Sequence, residues 1–83
     1  MRSDICFDAK LDTSGLHCPL PIAHTKQIIS KLGNNQVLLV ITTDPSFDID
    51  CKVYIRQSGN KLLKSWLDGK KFYYLLQKLK IGD

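Results

Sequence analysis

The segment Val37-Leu38-Leu39-Val40-Ile41 is apolar at every position and constrains the fold more than any other part of the chain. Its valines and isoleucine favour extended backbone, and five residues are far fewer than the roughly 20 that a membrane span needs. A strand with one solvated face alternates apolar and polar residues, whereas a strand buried on both faces is apolar throughout. The sequence therefore predicts a central strand over residues 36–42.

A helix is predicted before this strand, over residues 19–32, because its apolar and small residues recur at helical spacing. The inward-facing stripe consists of Ile22, Thr25, Ile29 and Leu32. Gly33-Asn34 follows, and a glycine at this position commonly ends a helix.

A second helix is predicted to begin at Asp44-Pro45-Ser46 and to end at Gly59-Asn60. Its inward-facing stripe is Phe47, Cys51, Tyr54 and Ile55. Two further apolar segments, residues 62–67 and 71–78, flank Asp68-Gly69, which is a strong signal for a β-hairpin.

A half-buried strand opens the chain, because four apolar residues alternate with polar ones. These are Ile5, Phe7, Ala9 and Leu11. The predicted order is β-α-β-α-β-β, an α+β fold in one domain, residues 1–83. In this two-layer α/β sandwich, two helices cover one face of a four-stranded mixed sheet. The other face stays open or meets a partner, and Cys6 lies on it.

Charge is distributed unevenly along the chain, whose net charge is +4. Residues 1–50 carry a net charge of −2 and residues 51–83 carry +6. Such asymmetry suits an acidic protein partner or RNA, although a solvated lysine-rich surface with no partner has the same composition.

The three cysteines, Cys6, Cys18 and Cys51, exclude several classes of protein. Their odd number argues against a full disulfide framework, and their spacing fits neither a zinc ribbon nor a CxxC redox enzyme. The first residues lack the apolar stretch of a secretory signal, so we expect a cytoplasmic protein with reduced cysteines.

Cys18 lies where the first predicted helix begins, in the segment Cys18-Pro19-Leu20-Pro21. Proline is tolerated in a first helical turn because its missing N–H would have no helical acceptor there. The partial positive charge of a helix N-terminus lowers a cysteine pKa from about 8.5 and so favours the reactive thiolate. Gly15 permits a tight turn before the cysteine, and His17 is placed to add positive charge or carry a proton.

Other interpretations of the cysteines remain open at this point. Cys18 is also compatible with a small buried cap residue, Cys51 falls on the core stripe of its helix, and no neighbour obviously activates Cys6. A metal site built from His17, Cys18 and His24 is disfavoured, because His24 faces away from the inward stripe. We predict no metal and no cofactor.

The segments Leu11-Asp12 and Gly15-Leu16-His17-Cys18-Pro19-Leu20-Pro21 resemble the signature of the TusA/SirA-like sulfur-carrier family, L-D-x-x-G-x-x-C-P-x-P. The resemblance continues through Thr43-Asp44-Pro45, Asp50 and Ser58-Gly59-Asn60. It implies the sandwich described above. It also implies that Cys18 carries sulfur as a persulfide, with Gly15, His17, Pro19 and Pro21 in support.

The family resemblance also implies protein partners. A cysteine desulfurase or a rhodanese-like protein would donate the sulfur, and a second protein would accept it, for example towards tRNA 2-thiouridine. The chain would then act as a monomeric carrier, sulfurtransferase-like rather than a stand-alone enzyme, with tRNA involved only indirectly and no membrane. It departs from the family at His17, where arginine is common, and at Leu20, where an acidic residue is common.

Three rival functions use the same residues differently. The chain could be a non-catalytic regulatory or interaction module for which the proline-rich cap is only a docking shape. It could bind RNA through its basic half, or sense oxidants through Cys6 and Cys18.

Overall fold

The computed structural model describes residues 7–16 and 20–79, which form four strands and two helices. The elements are β1 (Ala9–Asp12), α1 (Leu20–Ser30), β2 (Val37–Thr42), α2 (Phe47–Ser58), β3 (Lys61–Asp68) and β4 (Lys71–Gln77). This order confirms the predicted β-α-β-α-β-β arrangement.

The strands form one mixed sheet in the order β1-β2-β4-β3. β1 runs parallel to β2, and β4 is antiparallel to both β2 and β3. The strand β2, apolar except for Thr42, is thus flanked on both sides, and five of its six residues are buried. Its prediction as a central strand is confirmed.

Both helices contribute to a single apolar core on one face of the sheet. Its buried members are Ile29, Leu38, Val40, Phe47, Cys51, Tyr74 and Leu76. A second cluster, formed by Leu39, Ile41 and Leu75 with Val37, Trp66 and Tyr73, receives no helix side chain. We call the surface formed by these six residues the open face.

β1 is shorter than the alternating pattern predicts, because it begins at Ala9 and not before Phe7. Asp8 donates its N–H to the Val37 carbonyl at 2.8 Å, and its carboxylate accepts the Val37 N–H at 2.8 Å. The Val37 N–H is therefore bound by the Asp8 side chain and not by a main-chain carbonyl, and the regular pairing of β1 with β2 stops there. Ile5 and Cys6 lie outside the described residues, so the placement of Cys6 on the open face stays a prediction.

α1 ends at Ser30, two residues before the predicted end, because the chain tightens there. The N–H groups of Lys31 and Leu32 each donate to the carbonyl three residues back, at 3.0 Å. The residue with left-handed backbone is Asn35, at φ 71°, and not Gly33. α1 has no basic residue in its last turn, and Lys78 supplies one by donating to the Ile29 carbonyl at 3.0 Å.

The hairpin between β3 and β4 is present as predicted, with a shift of one residue in its loop. Asp68 pairs with Lys71, so the two loop residues are Gly69 and Lys70. Gly69 has φ +65°, as the first loop residue of a two-residue hairpin turn requires.

Candidate functional site

The candidate site lies at the end of the sheet where β1 and β2 finish. Because these strands are parallel, the helices that follow them begin at the same end of the molecule. The loop after β1 is tied to the end of β2 by Thr13, whose N–H and hydroxyl donate to the Ile41 carbonyl at 2.7 and 2.8 Å. The N–H of Gly15 donates to the Thr43 hydroxyl at 2.9 Å. The two loops therefore hold each other in place.

The turn that leads to the cysteine is held by local hydrogen bonds. The Leu16 N–H donates to the Thr13 carbonyl at 3.0 Å, and the Ser14 N–H donates to the Asp12 carboxylate at 2.9 Å. Gly15 has φ +86°, and a Cβ added there would meet no atom within 4 Å. The requirement for glycine is thus conformational and not steric.

Three of the five predicted site residues, His17, Cys18 and Pro19, lie outside the described residues. The other two, Gly15 and Pro21, fall on either side of this gap. Pro21 is buried in the first turn of α1, and its carbonyl accepts the Thr25 hydroxyl at 2.8 Å. Gly15 and Pro21 therefore contribute through their backbone conformation and backbone carbonyl. The roles of His17, Cys18 and Pro19 stay predictions.

Cys51 is fully buried against the sheet. Its removal from water raises the pKa of its thiol to about 12, and the nearby Asp48 carboxylate adds to this effect. The thiol is therefore protonated at neutral pH and serves as a small apolar group. The prediction that Cys51 packs in the core is confirmed.

The metal set considered above is only partly covered by the described residues. No group of three histidine, cysteine, aspartate or glutamate side chains is arranged there to hold an ion. His24, the remaining residue of the disfavoured metal set, is exposed on α1.

The candidate end of the sheet carries several carboxylates. Asp12 ends β1, Asp44 precedes α2, and Asp48 and Asp50 lie in the first turn of α2. The hydroxyl and then the N–H of Ser14 lower the pKa of Asp12, so this group stays charged. These carboxylates partly cancel the positive electrostatic potential that the N-termini of the two helices produce at this end of the sheet.

Asp44 shapes the loop before α2. Its carboxylate accepts the Ser46 N–H at 3.0 Å and the Ser46 hydroxyl at 2.8 Å, while its carbonyl accepts the Phe47 N–H at 3.1 Å. The side chain of Ser46, the residue before the helix, makes no capping bond of its own. Asp44 thus satisfies polar groups where α2 starts.

Thr13 and Thr43 are site residues that the sequence reasoning missed. Each directly follows a strand that ends at the candidate site, and each uses its hydroxyl to tie the two loops together. The sequence signal that could have identified them is a threonine directly after each of the two parallel strands.

Known proteins resemble this chain over most of its length. The sequence model of the family described as sulfurtransferase TusA matches residues 9–78, which include Cys18. The chain belongs to the TusA family. The sulfur carrier protein TusA of Allochromatium vinosum is 44% identical over 72 residues, a match that covers 87% of this chain and 95% of that protein.

Two other relatives extend the comparison. A putative sulfur carrier protein of Aquifex aeolicus is 48% identical over 69 residues, covering 82% of this chain but only 35% of that longer protein. The crystal structure of a SirA-like protein from Desulfitobacterium hafniense matches with a TM-score of 0.78 at 16% identity, covering 88% of this chain and 100% of that one. This structure shows that the fold is shared. In the ranges 7–16 and 20–79, no helix is long and apolar enough to cross a membrane.

Proposed function

We propose that this chain is a sulfur carrier that holds sulfane sulfur as a persulfide on Cys18. The observation that carries the proposal is the family match across residues 9–78, which contains Cys18-Pro19-Leu20-Pro21. Relatives with 44% and 48% identity bear the names sulfur carrier protein and putative sulfur carrier protein.

The surrounding scaffold suits a single reactive thiol. Gly15 and Thr13 fix the loop on one side of residues 17–19, and Pro21 is buried on the other. The start of α1 presents backbone N–H groups without helical acceptors, which stabilise an anionic sulfur. Cys51 does not compete, because its thiol is buried and protonated.

The transfer proceeds by thiol exchange in two balanced steps. The Cys18 thiolate attacks the outer sulfur of a donor persulfide; the donor S–S bond breaks, and the donor leaves as a thiolate. Cys18 then bears the persulfide, and a thiolate of the acceptor attacks its terminal sulfur, releasing the Cys18 thiolate. Neither step requires an external oxidant or reductant.

The partners in this proposal are a cysteine desulfurase or a rhodanese-like protein as donor and a second protein as acceptor. A route to tRNA 2-thiouridine is one destination that fits this chemistry. The proposal places the relay in the cytoplasm, where an exposed thiol remains reduced.

The test is incubation with a cysteine desulfurase and cysteine labelled in its sulfur, followed by intact-mass and peptide analysis. We expect the mass of one sulfur atom to be added at Cys18 and to be lost on reduction. Cys18→Ser should abolish the label, while Cys6→Ser and the core variant Cys51→Ala should retain it. Label that persists in Cys18→Ser would contradict the proposal.

A further inference from the structure

The open face combines a packed apolar centre with a partly exposed aromatic pair. Leu39, Ile41 and Leu75 retain only 6–7% exposure, whereas Trp66 and Tyr73 at the hairpin side are half-buried. Interfaces between proteins have an apolar centre, and tryptophan and tyrosine are enriched among the residues that dominate their binding energy. The hairpin side of this face therefore has the composition of a docking surface.

The aromatic pair already makes contacts within the hairpin. Trp66 and Tyr73 are opposite each other on β3 and β4, and their rings stack with centroids 5.1 Å apart and planes 3° apart. The ammonium of Lys64 lies over the Trp66 ring, 5.5 Å from its centroid. Because the indole already contacts a ring and an ammonium, it offers little flat surface on which a nucleic-acid base could stack.

The charge around this pair is predominantly positive. Residues 61–77, the β3–β4 hairpin, contain four lysines and a single acidic residue, Asp68. Asp68 lies opposite Lys71 in the strand register, at the end of the hairpin away from Lys61. Lys61 and Lys64 are exposed, and both lie on the strand that forms the edge of the sheet. The aromatic pair is thus bordered by positive charge.

We propose that the hairpin side of the open face docks a protein partner whose surface is apolar at its centre and edged by aspartate or glutamate. Charge complementarity selects this occupant. A second copy of the chain would bring the same lysines against each other, and like charges at an interface oppose association. RNA would match the lysines, but the indole of Trp66 already contacts a ring and an ammonium and offers a base little surface for stacking. The docking surface does not depend on the chemistry of Cys18.

Trp66 is the only tryptophan in the chain, so its fluorescence reports directly on this surface. The probe is a helical peptide with leucine and phenylalanine in a stripe along one side and glutamate along both edges of that stripe. A second peptide has lysine in place of every glutamate. We expect the acidic peptide to change Trp66 fluorescence saturably and to shift the backbone amide NMR signals of β3 and β4. The basic peptide should bind at least about tenfold more weakly, because it meets like charges.

Matched charge reversals test the assignment. Lys61→Glu with Lys64→Glu should weaken the acidic peptide about tenfold or more, whereas Lys31→Glu with Arg56→Glu should change its affinity less than about twofold. Both double variants lower the net charge from +4 to zero, but the second pair lies outside the hairpin, because Arg56 is on α2 and Lys31 directly follows α1. Thermal unfolding of each variant verifies that the fold is retained.

Four outcomes would overturn the proposal. These are no saturable binding of the acidic peptide, equal weakening by both double variants, tighter binding of a single-stranded oligouridine at the same salt concentration, and self-association through this face in sedimentation velocity. Running the titrations on Cys18→Ser as well separates this result from the sulfur-transfer test.

Discussion

Leu38 and Leu39 are neighbours in β2, yet they belong to different environments. Leu38 has no exposed surface and lies in the core that Phe47 and the two helices complete, whereas Leu39 faces away from both helices. On the helix-covered face, polar groups have partners within the fold, as when the Tyr74 hydroxyl donates to Asp48 at 3.1 Å. On the open face, the aromatic pair is bordered by exposed lysines. One face is covered by the helices, and the other is the face on which we propose a docking surface.

The largest expected effect comes from opening the helix-covered face. Phe47 is 1% exposed, and its ring packs against Tyr74 with centroids 4.9 Å apart. Phe47→Ala should lower the free energy of unfolding by about 3–5 kcal/mol, because it removes buried apolar surface and leaves a cavity. Denaturant unfolding measures the change.

The control for this prediction lies on the same helix. Ile49 is 68% exposed, so Ile49→Ala should change the free energy of unfolding by no more than about 0.5 kcal/mol. If both variants lost similar free energy of unfolding, the distinction between the buried helix-covered face and the solvent-exposed surface of α2 would be wrong.

The second prediction concerns the aromatic pair of the open face. A double-mutant cycle of Trp66→Leu and Tyr73→Leu should show a coupling energy of about 0.5–1.5 kcal/mol, because the rings stack across adjacent strands. Trp66→Leu and Lys10→Met should be additive, since β1 and β3 are separated by two strands. The same unfolding measurement serves both cycles, and an absent coupling for the aromatic pair would contradict the stacking.

Much of the fold follows from local patterns in the sequence. The apolar run in β2, the Asp68-Gly69 hairpin signal and the burial of Cys51 were each predictable, because each depends on periodicity or turn chemistry within a short segment. The end of α1 was not predicted correctly. The carbonyl of Ile29 in its last turn accepts a hydrogen bond from Lys78, which is distant in the sequence and comes close only through the sheet.

The candidate site divides in the same way. A glycine before Cys18 signals a turn, and Gly15 does adopt positive φ. The hydrogen bonds from Thr13 to Ile41 and from Gly15 to Thr43 join residues 28 positions apart, and no local pattern encodes them. The alternation of side chains along β2 separates the two apolar clusters. Which of the two clusters the helices cover is seen only in the folded sheet.

The smallest predicted effect concerns a charge on the helix-covered side. Asp48 lies 3.0 Å from the Lys52 ammonium and accepts the Tyr74 hydroxyl; Lys52, followed by Tyr74, lowers the pKa of Asp48. A carboxylate with a lowered pKa stabilises the fold above its unfolded pKa of about 3.9, and this stability is lost as pH falls through the folded pKa. Asp48→Asn should therefore lower the free energy of unfolding by about 0.2–1 kcal/mol at neutral pH, a small value because the pair is solvated, and by less at about pH 2.

Urea unfolding at both pH values measures this difference. Asparagine retains an oxygen that accepts the Tyr74 hydroxyl, so Asp48→Asn removes the charge and keeps that hydrogen-bond acceptor. In a Lys52→Met background the neutral-pH cost should shrink, because the ion pair is already absent and only the favourable position of Asp48 near the start of α2 remains. If Asp48→Asn lowered the free energy of unfolding equally at neutral pH and at about pH 2, the effect would come from side-chain shape and not from charge, which would contradict the prediction.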